Sequence, residues 1–147
     1  TDGLFLCWRV RHGLFEENIL EGNGRFGISI GHKDSDNLLR RNRVRLNHRD
    51  GIFFRKESLG MAAHRNRLEE NIIENNGTGG EAAGICIRGQ TNNLVFKNNT
   101  IRDTRTDEAQ TQTTGIRIEE QVGKVVLDGN KIEAKIRIDD RRASKPK

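Results

Sequence analysis

Residues 27–46 read GISIGHKDSDNLLRRNRVRL, and the pattern of this stretch returns along most of the chain. A glycine precedes an apolar-x-apolar triplet, and an asparagine stands fifteen residues after that glycine. The triplets begin at Gly3, Gly27, Gly51, Gly84 and Gly115. The asparagines are Asn18, Asn42, Asn71, Asn99 and Asn130, and the third copy carries a five-residue insertion within Glu57 to Ala63.

Each copy predicts three short strands separated by turns. Apolar and polar residues alternate in the triplet and around the asparagine, which is the period of a strand, and no segment keeps a helical period. Copies of 24 to 33 residues with this content predict an all-β fold, a parallel β-helix of about five rungs with three short parallel sheets. Asparagine amides stacked at roughly 4.8 Å can bond one another and the turn backbone, which predicts an interior Asn ladder.

The composition fits a solenoid better than a globule. Hydrophobic residues make up 33% of the 147 residues and charged residues 32%, against roughly 45–50% and 25% in an average soluble chain. A rung of a solenoid buries only about four apolar side chains, so this apolar fraction is sufficient.

Two rows of charged residues provide an independent test of the register. Three residues after the asparagines stand Glu21, Arg45, Glu74, Arg102 and Glu133. Two residues before them stand Glu16, Arg40, Glu69, Lys97 and Asp128. The sign alternates in both rows, so copies stacked in register place opposite charges side by side. Most of the charge is therefore expected to pair between rungs, and the net charge of +5 is weak support for an anionic partner.

The triplets, the Asn ladder and stretches such as Glu70-Asn-Ile-Ile-Glu-Asn-Asn76 resemble the right-handed parallel β-helix repeat proteins of pectin-lyase-like fold. In that family the glycine-led strand belongs to the first sheet, and the asparagine lies in the turn between the second and third sheets. The resemblance implies a right-handed β-helix domain over residues 1–138, followed by a basic disordered tail over 139–147. It also implies an extracellular or periplasmic protein that binds an acidic polysaccharide in a groove along the first sheet.

The candidate substrate-binding residues lie at outward positions of the first strands and in the adjoining turns. Arg55, Arg88 and Arg117 are predicted to stack on successive rungs, a spacing suited to the carboxylates of a uronic chain, or to form an ordinary solvated row. Trp8 and Phe53 are predicted to form a platform for sugar rings, or to lie beneath a loop or a partner surface.

The acid–base candidates are His32, Asp34, Arg55 and Glu57. Asp34 and Glu57 on adjacent rungs would suit the carboxylate pair of a glycoside hydrolase. His32 beside Arg55 would suit the base and cationic neutraliser of a polysaccharide lyase or epimerase. A plain polar turn over residues 31–34 is the alternative to either chemistry.

Other ligands receive less support from the sequence. No cofactor is predicted, and no metal site, because the four histidines do not recur at one offset; Ca²⁺ held by turn carboxylates is left open. The arginines of residues 40–45 resemble a nucleic-acid patch, but glutamates flank them in the neighbouring copies, so no nucleic-acid partner is expected. The sequence contains no run of 18 apolar residues, so no membrane span is predicted. Cys7 and Cys86 stand three rungs apart, too far for a disulfide.

A second class of function is a non-catalytic structural or adhesive solenoid. Five rungs are few for a catalytic member of the family that the chain resembles. Uncovered end rungs pair with other strand edges, so this alternative predicts end-to-end oligomers or fibres, or a segment of a longer β-helix.

Overall fold

The computed structural model describes residues 1–143, which form sixteen short β-strands and one 3₁₀ turn, Asp107–Ala109. Neighbouring strands are parallel and form three sheets of six, five and five strands. Successive strands pass from one sheet to the next, so that each of the first five rungs contributes one strand to every sheet, and β16 adds a sixth strand to the first sheet alone. The predicted all-β solenoid with three parallel sheets is confirmed.

The strand bounds repeat with the sequence copies. The first sheet contains β1 (Leu4–Phe5), β4 (Ile28–Ile30), β7 (Ile52–Phe54), β10 (Ala82–Ile87), β13 (Gln112–Ile118) and β16 (Ile136–Asp140). The second contains β2 (Leu14–Glu16), β5 (Leu38–Arg40), β8 (Arg67–Glu69), β11 (Leu94–Lys97) and β14 (Val125–Asp128). The third contains β3 (Ile19–Glu21), β6 (Arg43–Arg45), β9 (Ile72–Glu74), β12 (Thr100–Arg102) and β15 (Lys131–Glu133).

The core is a column of aliphatic side chains inside the three sheets. Ile52 of the first sheet, Leu68 of the second and Ile73 of the third are all fully buried, as the repeat predicts. At the last rung of the second sheet, the core position Leu127 is 37% exposed, because no strand covers it beyond β14.

The glycine that opens each triplet is required by a close approach inside the rung. A Cβ at Gly51 would lie 2.6 Å from Ile73 Cγ2 and 2.7 Å from the carbonyl oxygen of Gly84. Any side chain there would collide with the third sheet of its own rung and with the backbone of the next rung. This contact explains why a glycine stands before every triplet.

The predicted Asn ladder runs through the turns between the second and third sheets. Asn71 Nδ2 donates to Asn99 Oδ1 at 3.0 Å and to the carbonyl oxygen of Leu39 at 3.0 Å, and Asn42 Nδ2 donates to Asn71 Oδ1 at 3.0 Å. Each buried amide thereby satisfies its neighbour and one turn carbonyl, which confirms the ladder and its physical reason.

Two further amide ladders flank the first one, and neither was predicted from the sequence. Five residues after the first ladder, Asn23, Asn47 and Asn76 bond in series, and Asn76 Nδ2 donates to Gln112 Oε1 at 2.8 Å. Five residues before it, Asn37 Nδ2 donates to Asn66 Oδ1 at 3.1 Å. The sequence signal for both ladders was their fixed offset of five residues from the asparagines of the first ladder.

The two charge rows are in register. Arg45 faces Glu21 and Glu74 across the third sheet, and Arg45 Nε lies 3.1 Å from Glu21 Oε1. In the second sheet Arg40 Nε donates to Glu16 Oε2 at 2.7 Å. The arginines of residues 40–45 are thus held by carboxylates of adjacent rungs, and each exposed pair contributes about 0.2–1 kcal/mol.

The β-helix extends past residue 138, the boundary predicted from the repeat. β16 pairs Ile136 with Thr114 and Ile138 with Ile116, so the sixth first-sheet strand includes Asp139 and Asp140, which the sequence reading assigned to the tail. It lacks a leading glycine, but Ile136 and Ile138 keep the alternation of the triplet. Arg142 then pairs with Asp140 at 2.7 Å. The rest of the predicted tail, residues 144–147, lies outside the described residues.

Candidate functional site

The outer face of the first sheet carries two columns of outward side chains. Strand pairing places Phe5, Ser29, Phe53, Cys86, Arg117 and Asp139 in one column. Backbone hydrogen bonds continue the second column through Gly31, Arg55, Arg88 and Glu119. The prediction of a single row formed by Arg55, Arg88 and Arg117 is therefore wrong, because Arg117 stands two positions earlier in its strand and belongs to the first column.

Three of the four acid–base candidates meet at the end of this face, in the turns that follow β4 and β7. His32 Nε2 lies 3.2 Å from Glu57 Oε1, and Arg55 Nη2 lies 3.3 Å from His32 Nδ1. Both His32 and Glu57 are part exposed, so a ligand can reach them. The structure thus brings His32, Arg55 and Glu57 together, although they come from two rungs.

Asp34 is placed differently from the prediction. Its side chain is fully buried and accepts hydrogen bonds from the backbone N–H of Val10 at 2.9 Å and of Gly31 at 3.1 Å. Burial raises the pKa of Asp34 against the opposing effects of these two N–H groups and of Arg55. Asp34 holds two turns together and does not face the groove, so the predicted pair of substrate-facing carboxylates with Glu57 does not form.

Arg55 is held in place by contacts that span three rungs. Its guanidinium donates to Ser29 Oγ at 2.8 Å and to the carbonyl oxygen of Leu6 at 2.8 Å, and lies 3.6 Å from Asp34. It also covers one face of the Phe5 ring, with 4.4 Å between the Arg55 Cζ and the ring centroid. Most hydrogen-bonding capacity of Arg55 is used inside the protein, so it is poorly placed as a free anion ligand.

Cys7, which was not predicted as a site residue from the sequence, also belongs to this cluster. Cys7 is exposed, and Cys7 Sγ lies 3.5 Å from His32 Nδ1. Both thiols are free, as predicted, but Cys86 is buried, and burial with the nearby charge of Asp50 raises its pKa to about 12. Cys7 and His32 stand 25 residues apart, one rung and one residue, which was the sequence signal for their contact.

An open groove of about 680 Å³ runs beside the other end of the same face. Its basic lining residues are Arg25, His48, Arg49, Arg88 and Arg117. Arg88 and Arg117 were predicted as ligand contacts, whereas Arg25, His48 and Arg49 come from the loops before the first-sheet strands and were not individually predicted. No side chain of residues 1–143 forms a salt bridge with Arg49 or Arg88, while Arg117 pairs with Asp139 at 3.3 Å.

One aromatic surface enters this groove. The rings of Phe53 and Phe26 stack with 4.1 Å between their centroids and an angle of 4° between their planes. Trp8 lies at the opposite end, where its ring centroid is 5.8 Å from that of His32. The two residues predicted as one sugar platform therefore belong to different parts of the face.

Asp50 lies among the arginines of the groove. Its carboxylate accepts the backbone N–H of Ala83 at 2.7 Å. Burial raises the pKa of Asp50, and the Ala83 N–H and the charges of Arg117, Arg49 and Arg88 oppose that rise. Protonation of Asp50 would leave the groove more positive.

Two further kinds of feature are absent from the described residues. Within residues 1–143, no three His, Cys, Asp or Glu side chains lie close enough together to hold a metal ion. In the same residues, no helix has the length and apolar character needed to cross a bilayer.

Three parallel sheets around stacked amide ladders, with an accessible groove outside the first sheet, define a parallel β-helix protein. The family described as right-handed β-helix region matches residues 4–132. The chain therefore belongs to the right-handed β-helix family, which confirms the resemblance seen in the repeats. No curated protein and no solved structure matches the chain significantly.

Proposed function

We propose that this β-helix protein binds an acidic polysaccharide along the outer face of its first sheet, in an extracellular or periplasmic setting. The observation that carries the proposal is the pair Arg49 and Arg88, two arginines in one groove with no salt bridge to any residue of 1–143. A guanidinium presents a planar fork of donors that matches a carboxylate or sulfate, and one without a salt bridge gives up no ion pair when it binds.

The aromatic pair supports a sugar ligand rather than a small anion. Phe53 is half-buried and has one ring face against Phe26, so the rest of its ring is available to the groove. Grouped exposed apolar surface usually marks a contact site, and flat rings pack against the apolar faces of sugars. Arg88 and Phe53 lie on adjacent rungs, so a charged group and a ring of one polymer could reach both.

Hydrolysis by a carboxylate pair is not part of this function, because Asp34 is buried. Elimination or epimerisation with His32 as base beside Arg55 stays a prediction. It requires the polymer to extend from the groove to the turns that carry His32. The unsaturated products of a lyase would be detected by absorbance in the binding experiment below.

The test compares binding of polygalacturonate and of a neutral glucan by isothermal titration calorimetry. The double variant Arg49→Gln with Arg88→Gln should lower the affinity for polygalacturonate about tenfold or more, since each lost charge-assisted contact counts for about 1.5–3 kcal/mol. The control, Arg41→Gln with Lys131→Gln, removes the same charge from exposed positions at the second and third sheets. Equal losses in both double variants, or equal affinity of the native chain for the neutral glucan, would exclude the proposal.

A further inference from the structure

The geometry points to a second site on this face: we propose that Cys7, His32 and Glu57 form a nucleophile, its base and an orienting carboxylate that transfer the acyl group of an ester to water. This activity goes beyond polysaccharide binding and uses none of the groove arginines. It rests on the contacts of Cys7 Sγ with His32 Nδ1 at 3.5 Å and of His32 Nε2 with Glu57 Oε1 at 3.2 Å. A thiol, an imidazole and a carboxylate in this order are the parts of an activated nucleophile.

The neighbours of His32 fix which ring nitrogen carries the proton. A guanidinium has only donors, so Arg55 Nη2, at 3.3 Å from His32 Nδ1, must donate to that nitrogen. The proton of the neutral ring then sits on Nε2, where it is donated to Glu57 Oε1. The single lone pair of Nδ1 is then shared between the Arg55 N–H at 3.3 Å and the thiol of Cys7 at 3.5 Å, so Nδ1 is the ring nitrogen that can take the thiol proton.

Arg55 also supplies a fixed positive charge at the reacting end of His32. Its bonds to Ser29 Oγ and to the carbonyl oxygen of Leu6, both at 2.8 Å, hold the guanidinium rigidly. A preorganised cation stabilises negative charge that develops on sulfur or on a carbonyl oxygen in the transition state. The tight internal bonding that makes Arg55 a poor ligand for a long polymer makes it a good fixed electrostatic group.

The turns that carry Cys7 and His32 contain left-handed residues. Trp8 and Arg9 have φ angles of 73° and 65°, and His32 and Lys33 have 45° and 65°. Non-glycine residues with positive φ also occur in the turns of the other rungs, so this conformation is a property of the β-helix turns. The Arg9 N–H donates to the carbonyl oxygen of His32 at 2.9 Å, which joins the two turns and keeps Cys7 beside its base.

The site is open to an apolar substrate. Cys7 is exposed, and Trp8, 59% exposed, presents its indole next to His32. Flat apolar surface beside a nucleophile selects esters that have an aromatic acyl or alcohol group. Cys86 provides the internal contrast, because it is 4% exposed and burial raises the pKa of its thiol to about 12.

The reaction has two balanced steps. In the first, Cys7 Sγ forms a bond to the ester carbonyl carbon while its proton passes to His32 Nδ1; the carbon–oxygen bond then breaks, and the leaving alcohol takes that proton. In the second, a water attacks the thioester and gives a proton to His32 Nδ1. The carbon–sulfur bond breaks, the proton returns to Cys7, and the carboxylic acid leaves. No oxidant, reductant or metal is needed.

The probe is p-nitrophenyl phenylacetate, with release of p-nitrophenolate followed by stopped flow and acyl-Cys7 detected by peptide mass spectrometry. The native protein should become acylated at Cys7, and the resulting thioester should then be hydrolysed. Cys7→Ala should abolish both, whereas Cys86→Ser should leave them unchanged. His32→Gln should slow acylation about 100-fold, the contribution typical of a general base. Urea midpoints within the error of the native value verify that each variant is folded.

Glu57 is a positioning residue, since it acts through His32. Glu57→Gln should slow acylation roughly tenfold and displace the pH–rate profile of acylation, which a purely structural role would not do. Trp8→Ala should slow the phenylacetate ester more than the acetate ester. An acylation rate unchanged in His32→Gln, a rate no faster than that of free glutathione, or an acyl-Cys7 that is never hydrolysed would overturn the proposal. None of these results depends on Arg49 or Arg88, so polysaccharide binding is tested separately.

Discussion

The guanidinium of Arg55 lies directly against Gly31, so closely that a Cβ at Gly31 would stand 2.7 Å from Arg55 Nε. Gly31 is the residue before His32, and its lack of a side chain leaves the space through which Arg55 reaches Leu6 and Ser29. The absence of a side chain at Gly31 thus determines the position of the Arg55 guanidinium and, through that guanidinium, the hydrogen bonding of His32.

Gly31→Ala should displace Arg55 and lower the free energy of unfolding by about 1–3 kcal/mol, the usual cost of forcing an extra methyl group into a packed site. The measurement is urea denaturation followed by circular dichroism. Gly60→Ala is the control, since a Cβ at Gly60 meets nothing within 4 Å. That substitution should leave the stability unchanged or raise it slightly. Equal stability of Gly31→Ala and the native chain would show that Arg55 does not depend on this space.

Asn71 is the centre of the first ladder and should be among the most sensitive polar residues. It is fully buried, and its amide bonds with Asn42, Asn99 and the carbonyl oxygen of Leu39. Asn71→Ala leaves several buried polar groups without partners, so the free energy of unfolding should fall by more than about 3 kcal/mol. Asn18→Ala, in the same ladder at the exposed first rung, should cost much less. Urea midpoints that fall equally for both variants would contradict the burial argument.

The fold could be predicted from the sequence because it depends on spacing. Gly51 and Asn71 occupy repeated backbone environments, and every copy needs the same residue type there. The ladder of Asn23, Asn47 and Asn76 departs from the spacing at its fourth member, because residues 103–111 intervene. Gln112 stands there in place of an asparagine, and its longer side chain still reaches Asn76 Nδ2.

The site could be predicted only in part, because side-chain direction is not a function of spacing. The register predicted His32 beside Arg55, but it did not predict that Arg55 extends back two rungs to the carbonyl oxygen of Leu6 instead of outward. Asp34 turns inward to cap two backbone N–H groups. Which polar side chain a turn uses for its own hydrogen bonds depends on local geometry that one sequence does not reveal.

Asp103 should make the stability of the chain depend on pH. Burial tends to raise its pKa, but hydrogen bonds from the Arg105 side chain and from the backbone N–H groups of Arg105 and Gln112 outweigh burial, and the pKa lies below its ordinary value of 3.8. A carboxyl group with a lowered folded-state pKa stabilises the fold fully above its ordinary pKa. That contribution disappears as the pH falls through the folded value.

Asp103→Asn should therefore reduce the free energy of unfolding by about 1.5–3 kcal/mol at pH 7, the range for hydrogen bonds to a charged group. The difference from the native chain should shrink below pH 3.8. Asp34 and Asp50, whose pKa values burial raises, are present in both proteins and leave this difference unchanged. Asp107→Asn, at an exposed position of the same loop, is the control. A penalty that is constant between pH 7 and pH 2.5 would rule out the assigned role of the Asp103 carboxylate.

Two copies of this chain should not stack head to tail, although exposed apolar residues such as Ile19 at one end and Ile136 at the other would favour it. The alternating rows have five members, so both ends are acidic: Glu16 would meet Asp128, and Glu21 would meet Glu133. Like charges opposite each other oppose pairing by about 0.2–1 kcal/mol each. In addition, the first sheet has six strands and the others five, so the strand edges of two copies do not match.

Multi-angle light scattering of the 147-residue chain should give the monomer mass at low salt from micromolar to millimolar concentration. Salt screens the acidic ends but cannot correct the strand mismatch, so the mass should stay constant at 1 M NaCl as well, where charges interact over only about 3 Å. Association that appears at high salt alone would show that charge, and not the extra strand β16, prevents stacking. A mass that rises with concentration at low salt would favour the structural, end-to-end solenoid over an independent binding protein.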